Sequence, residues 1–121
     1  IDGDGGFQMN IQELQTIVHH KLPIKIFILN NQGYQAIRIT QKRYFNRFGG
    51  INKNTGVSFP SLKKIAFAYG IFYVYADSPH ELTLKIRQVL RKTGPVICEI
   101  MMPYNQKLYI SMKMAAFSAK K

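Results

Sequence analysis

The sequence predicts an α/β domain whose parallel sheet is sandwiched by helices. Three short runs carry that prediction: Ile24–Leu29, Ile71–Ala76 and Val96–Met102. Each is apolar, rich in β-branched residues and too short for a helix, as expected of a strand covered on both faces. Stretches of helical period separate them. Such alternation gives parallel strands joined by right-handed crossovers. The chain shows no internal repeat and no second domain.

Residues 1–9 are glycine-rich, and Asn10-Ile11-Gln12-Glu13 has the spacing of a capping box. Ile11, Leu14, Ile17 and Val18 then recur at helical spacing, so 11–21 is expected to be a helix, ended by Pro23. The strand Ile24–Leu29 breaks at Asn30-Asn31-Gln32-Gly33, and 34–47 restarts as a helix. Residues 48–59 read as a surface loop. Pro60 opens a helix through Tyr69, with Leu62, Ile65, Ala66 and Tyr69 on one face and Gly70 as its stop. After the strand Ile71–Ala76, Ser78 and Pro79 introduce a helix to about residue 92, with Leu82, Ile86, Val89 and Leu90 inward. Gly94-Pro95 turns into the last strand, which Pro103 closes. The expected domain is 1–103, and 104–121 is a tail without assigned structure.

Composition narrows the function classes. At 121 residues with 46% hydrophobic content the chain can bury one core. No apolar run approaches the roughly 20 residues that cross a bilayer, so no membrane partner is expected. The lone Cys98 lies in an apolar run and reads as a buried thiol, consistent with a reducing cytoplasm. The net charge of +11 is dispersed over Lys42, Arg43, Arg47, Lys63, Lys64, Arg87, Arg91 and others, with no dense basic block and no groove-reading motif. Solvated faces are therefore expected ahead of nucleic-acid binding, and a basic nucleic-acid-binding α/β module is the alternative from another class. The chain opens on Ile1 without a charged-then-apolar leader. The expectation is a fragment truncated at its N-terminus, with a strand running into Gly3-Asp4.

In open parallel sheets, ligands bind beyond the carboxyl ends of the strands. Two segments satisfy that rule, Gly3-Asp4-Gly5-Gly6 and Asn30-Asn31-Gln32-Gly33, and they would follow neighbouring strands. Asp4 offers a hard anionic oxygen and Asn31 an amide oxygen, both suited to magnesium, and the Gly33 carbonyl can add a third. Gly5 and Gly6 allow backbone amides to approach a phosphate, and the helix after Gly33 adds its dipole. The constellation points to a magnesium–diphosphate ligand. Other candidates have structural readings. His19-His20 suit the end of a helix, with side chains expected to diverge, and Phe7 and Met9 suit packing. Met101, Met102, Met112 and Met114 lack His or Cys neighbours. Arg38 reads as a surface residue, with a substrate carboxylate as its alternative partner. Glu99 sits in an apolar strand and would need a partner there.

Gly3-Asp4-Gly5, followed after some two dozen residues by Asn30-Asn31, resembles the thiamine-diphosphate signature. The intervening GFQMNIQELQTIVHHKLPIKIFILNNQGY, then GVSFPSLKKIAFAYGI and GPVICEIMMPYNQ, resemble the acetolactate-synthase-like branch. The resemblance implies the diphosphate-binding domain of a thiamine-diphosphate-binding fold, with thiamine diphosphate and Mg2+ as cofactors. It implies Asp4, Asn31 and the Gly33 carbonyl as metal ligands, and Gly3, Gly5, Gly6 and Tyr34 around the diphosphate. Gly6 stands where the family commonly has Ser, so a hydroxyl donor is lost and the backbone amide kept. The closing segment Tyr104-Asn105-Gln106 departs from the family's acidic residue and proline. The resemblance further implies an oligomeric parent enzyme, a transferase or lyase acting on a 2-oxo acid. It would pass a two-carbon unit to an acceptor, or carry out simple decarboxylation instead. The activating glutamate would lie on a pyrimidine-binding domain of the same or a partner subunit. No catalytic residue is assigned to this chain, and the isolated fragment is expected to be inactive.

Overall fold

The computed structural model describes residues 1–106. The rest of the expected tail, with Met112 and Met114, lies outside the described residues. Four strands, β1 (Asp2–Gly3), β2 (Lys25–Asn30), β3 (Phe72–Ala76) and β4 (Val96–Met101), form one sheet in the order β1-β2-β4-β3. Every neighbouring pair is parallel. The expected fold class is the one observed. β1 pairs directly with β2, Gly3 opposite Leu29, so Asp4 and Asn31 do follow adjacent strands. β4 enters last and inserts between β2 and β3, with Glu99 opposite Ile28 on one side and Tyr75 on the other.

Alternation of side chains along the strands divides the core in two. On one face Ile28 and Ile97 pack with Phe7, Leu14, Leu62, Ile65, Ala66 and Ile71. These come from α1 (Asp4–Gln8), α2 (Glu13–His19) and α4 (Leu62–Ala68) and the residue after α4's stop. On the other face Val74, Val96 and Cys98 pack against Val89 of α5 (Pro79–Arg91). α3 (Gln35–Tyr44) follows β2 and buries no residue fully. A 3-10 turn, Lys53–Thr55, lies within the expected loop.

Several local expectations are corrected. The stretch expected as loop and then one helix is two helices, α1 and α2, joined by turns at 9–12. Asn10 is not a side-chain cap. The cap position is Gln12, in helical conformation and without a capping bond. Backbone bonds from Glu13 to Asn10 (3.0 Å) and Leu14 to Ile11 (3.2 Å) lead the chain into α2 in place of a side-chain cap. Ser61, not Pro60, caps the start of α4, its hydroxyl accepting from the Lys64 amide at 3.4 Å. Gly70 stops the helix as expected, at φ +66. Ser78 caps α5 and Pro79 occupies its first turn. Met9 is exposed while Phe7 is core, and Leu90 is 61% exposed. Leu90 is one step of about 100° from the buried Val89, far enough to leave the α5 stripe. Within β2 only Ile28 is fully buried, so that strand is less enclosed than its composition suggests.

Ile97 is fully buried at the centre of the sheet. Ile97→Ala is expected to cost about 2–5 kcal/mol, and Leu90→Ala less than about 0.5 kcal/mol, measured by urea unfolding. Cys98 is fully buried, and burial pushes its thiol pKa up against the opposing charge of Lys85. Iodoacetamide should therefore label it only at the rate of unfolding, as mass spectrometry over a urea series will read.

Candidate functional site

The turn from β1 into α1 buries Asp4 to 3% exposure at the carboxyl edge of the sheet. Its Oδ2 accepts from the Gly33 amide at 2.9 Å and its Oδ1 from the Gly5 amide at 3.0 Å. Burial raises the Asp4 pKa above the ordinary carboxylate value, with the Gly33 and Gly5 amides pulling the other way. A carboxylate has about four lone-pair sites, so Asp4 retains acceptor capacity for a further partner beyond the Gly33 and Gly5 amides.

The second half of the site is the turn after β2. Asn30 Oδ1 accepts from the Gln32 amide at 2.9 Å, and Gln32 adopts the left-handed φ of 62. Such Asx turns are a local property of asparagine. Gly33 is required here for space. A Cβ would lie 2.2 Å from the Ile51 carbonyl oxygen, which accepts from the Tyr34 amide at 2.8 Å. Gly5 is equally confined, since its Cβ would meet the Tyr34 ring at 2.4 Å. That ring packs edge-on against Phe59. A Cβ on Gly6 would meet the Asp2 carboxylate at 2.5 Å, whereas Gly3 has open space around it. Glycines at 5, 6 and 33 thus leave backbone where side chains would stand.

Asn31 donates through Nδ2 to Gln35 Oε1 at 2.6 Å, while its Oδ1 is buried without a hydrogen-bond partner among the described residues. An unpaired buried acceptor is costly, on the order of 1–3 kcal/mol. A hard cation satisfies such an oxygen directly. Asp4 and Gly33 are joined by a hydrogen bond and Asn31 lies in the same turn, so the donor chemistry fits magnesium. The residues divide between two clefts. Asp4 borders a cavity of about 320 Å³ with Gln8, Asn30, Gln32, Lys53 and Glu99. Asn31, Gly33 and Tyr34 line a narrow crevice with Arg38, Ile51 and Tyr104.

Glu99 is the residue whose place the sequence left open. It is 9% exposed, and both carboxylate oxygens have donors: Asn30 Nδ2 at 2.6 Å on Oε1 and the Tyr73 hydroxyl on Oε2. Its lone acidic position in an apolar strand was the available signal, but its partners come from two other strands. Gln8 Nε2, facing the same cavity, is buried without a partner among the described residues. Arg38 is half-buried, its guanidinium 3.9 Å from the Tyr104 ring centroid, so it is not the free surface residue expected. His19 and His20 do not diverge as expected. Their exposed rings meet edge-on at 4.8 Å. Among the described residues no group of three or more His, Cys, Asp or Glu is placed to hold a metal.

Fold and cleft together define an open parallel α/β domain whose ligand edge lies at the strand carboxyl ends. The family model "Thiamine pyrophosphate enzyme, C-terminal TPP binding domain" matches residues 1–100. The chain belongs to this family, and its cofactor is thiamine diphosphate. The chain is 34% identical over 110 residues to the acetolactate synthase large subunit of Cyanidium caldarium, covering 90% of this chain and 18% of that protein. It is 32% identical over 110 residues to the corresponding subunit of Porphyra purpurea, with the same coverage. With the chloroplastic acetolactate synthase 2 of Zea mays it shares 35% over 111 residues, 88% of this chain and 17% of that one. The resemblance to the acetolactate-synthase-like branch is thus supported, and the chain spans under a fifth of the length of these relatives.

Because the Gly33 Cβ position is taken by backbone, Gly33→Ala is expected to cost about 2 kcal/mol or more. Gly49→Ala, with nothing within 4 Å, is the matched control. Unfolding midpoints of the two variants give the comparison.

Proposed function

We propose that this domain holds the diphosphate of thiamine diphosphate through Mg2+, with the Asp4 and Asn31 side chains and the Gly33 carbonyl as ligands. Gly3, Gly5, Gly6 and Tyr34 line the diphosphate, and the N-terminus of α3, just beyond Tyr34, favours its charge. The observation that carries this reading is the buried Oδ1 of Asn31, without a hydrogen-bond partner among the described residues, in the turn that is hydrogen-bonded to Asp4. When bound, thiamine diphosphate supplies the nucleophilic carbon and electron sink for 2-oxo acid decarboxylation.

The residues of this chain anchor and orient; none is assigned a proton at the reacting carbon. Activation falls to a glutamate on a pyrimidine-binding domain of the same or a partner subunit. The whole protein is then an oligomeric acetolactate-synthase-type enzyme that transfers a two-carbon unit from a 2-oxo acid to an acceptor, with simple decarboxylation as the alternative outcome. Exposed apolar side chains such as Phe67, Phe45 and Leu84 support a surface covered by further domains or subunits. No helix among the described residues is long and apolar enough to cross a membrane. A cytoplasmic location is a proposal that rests on the lone buried Cys98, and the maize relative bears a chloroplastic name.

The test is Asp4→Ala in the full-length protein, titrated calorimetrically with thiamine diphosphate and Mg2+. The expected loss is at least about 100-fold in Mg2+-dependent affinity, beyond what a merely supporting residue costs. Unchanged affinity, or salt-sensitive binding of duplex DNA with no response to the cofactor, overturns the reading.

A further inference from the structure

We infer that Glu99 is a positioning residue for the cation site, acting through the amide of Asn30. The inference rests on the proposed function above. Asn30 carries the carbonyl that accepts from the Met102 amide at 2.8 Å, so its backbone is already fastened beside the end of β4. The freedom left to it is the orientation of its side-chain amide, which has a donor end and an acceptor end. An ionised carboxylate only accepts. With Glu99 Oε1 at 2.6 Å, the donor Nδ2 must face the sheet interior, and Oδ1 must face the loop. There Oδ1 takes the Gln32 amide at 2.9 Å and holds Gln32 in its left-handed conformation. The next amide, Gly33 N–H, is thereby presented to Asp4 Oδ2, with Asn31 fixed between the two bonds.

Tyr73 completes the arrangement. Its hydroxyl donates to the second oxygen of Glu99, so the carboxylate cannot turn away from Asn30 without leaving a part-buried donor unpaired. Burial, with Glu99 adding to it, pushes the Tyr73 pKa well up, which keeps the phenol a donor. Polar groups from β2, β3 and β4 therefore set the geometry of a loop that carries a proposed metal ligand. Outer partners of this kind typically change metal affinity by about 10–100-fold when removed.

Glu99→Gln in the full-length protein preserves shape and changes the charge and the donor–acceptor pattern. The neutral amide either turns its nitrogen to Asn30, which sets the Asn30 nitrogen against the Gln32 N–H, or turns it to the Tyr73 oxygen and holds Asn30 only through a weaker, uncharged acceptor. Two readouts are expected to move together. Without any ligand, hydrogen exchange at Gln32 and Gly33 accelerates at least about 10-fold as the turn opens. At saturating thiamine diphosphate, the calorimetric Kd for Mg2+ rises about 10–100-fold. Tyr73→Phe, which spares Glu99 and Asn30, shifts both in the same sense by less and serves if Glu99→Gln does not fold. A folded variant with unchanged exchange or unchanged Mg2+ affinity overturns the inference. Asp4→Asn runs in parallel. Mg2+ binding lost there and retained in Glu99→Gln overturns the positioning role alone, whereas retention in both overturns the proposed function.

Discussion

The hydrogen bond between the Asp4 carboxylate and the Gly33 amide joins the two loops of the site, and most of the site's architecture serves it. A bond from a charged acceptor is worth roughly 1.5–3 kcal/mol net, and this one is made where the carboxylate is almost wholly removed from water. Desolvation works against the anion, as the raised pKa of Asp4 records. The fold accepts that penalty at Asp4, at the carboxyl edge of the sheet. The bond requires β1 and β2 to be parallel neighbours, so that residues following each strand emerge side by side. It also requires no side chain at Gly33, because the Ile51 carbonyl already occupies that space.

The strand order supplies the remaining support. β4 is last in the chain yet lies between β2 and β3, which brings Glu99 within reach of Asn30 on one side and Tyr73 on the other. A half-satisfied polar network in a sheet interior is worse than an apolar one, and a fully satisfied network restricts the conformations of its members. Here the carboxylate has donors on both oxygens. The loop thus inherits its shape from the sheet, and among the described residues its Asn31 side-chain oxygen is buried without a donor. Membership of the thiamine pyrophosphate-binding family gives the domain its ligand class.

Secondary structure was legible wherever a short-range pattern decided it. Ser78-Pro79 announced α5 and Gly70 ended α4 because caps and left-handed stops are local properties. Reading failed where tertiary packing chose among several local options. Asn10 had capping-box spacing, but the chain formed α1 immediately after β1 and reached α2 through backbone turns. Leu90 belonged to the apolar count of α5 but not to its buried stripe, and Met9 was left in solvent by the α1–α2 turn.

For the site, the sequence by itself determined the chemistry on offer: Asp4 and Asn31 as hard oxygen donors, glycines where backbone must come close, and a spacing with family resemblance. Composition and order along the chain are enough for that, since donor type and backbone freedom are properties of single residues. Tertiary structure alone decided which groups met. The Asp4–Gly33 bond, the Ile51 carbonyl that excludes a side chain at Gly33, and the Tyr73–Glu99–Asn30 network all join residues far apart in sequence. Those pairings depend on strand order and register, which arise when the whole sheet assembles and which no short segment encodes.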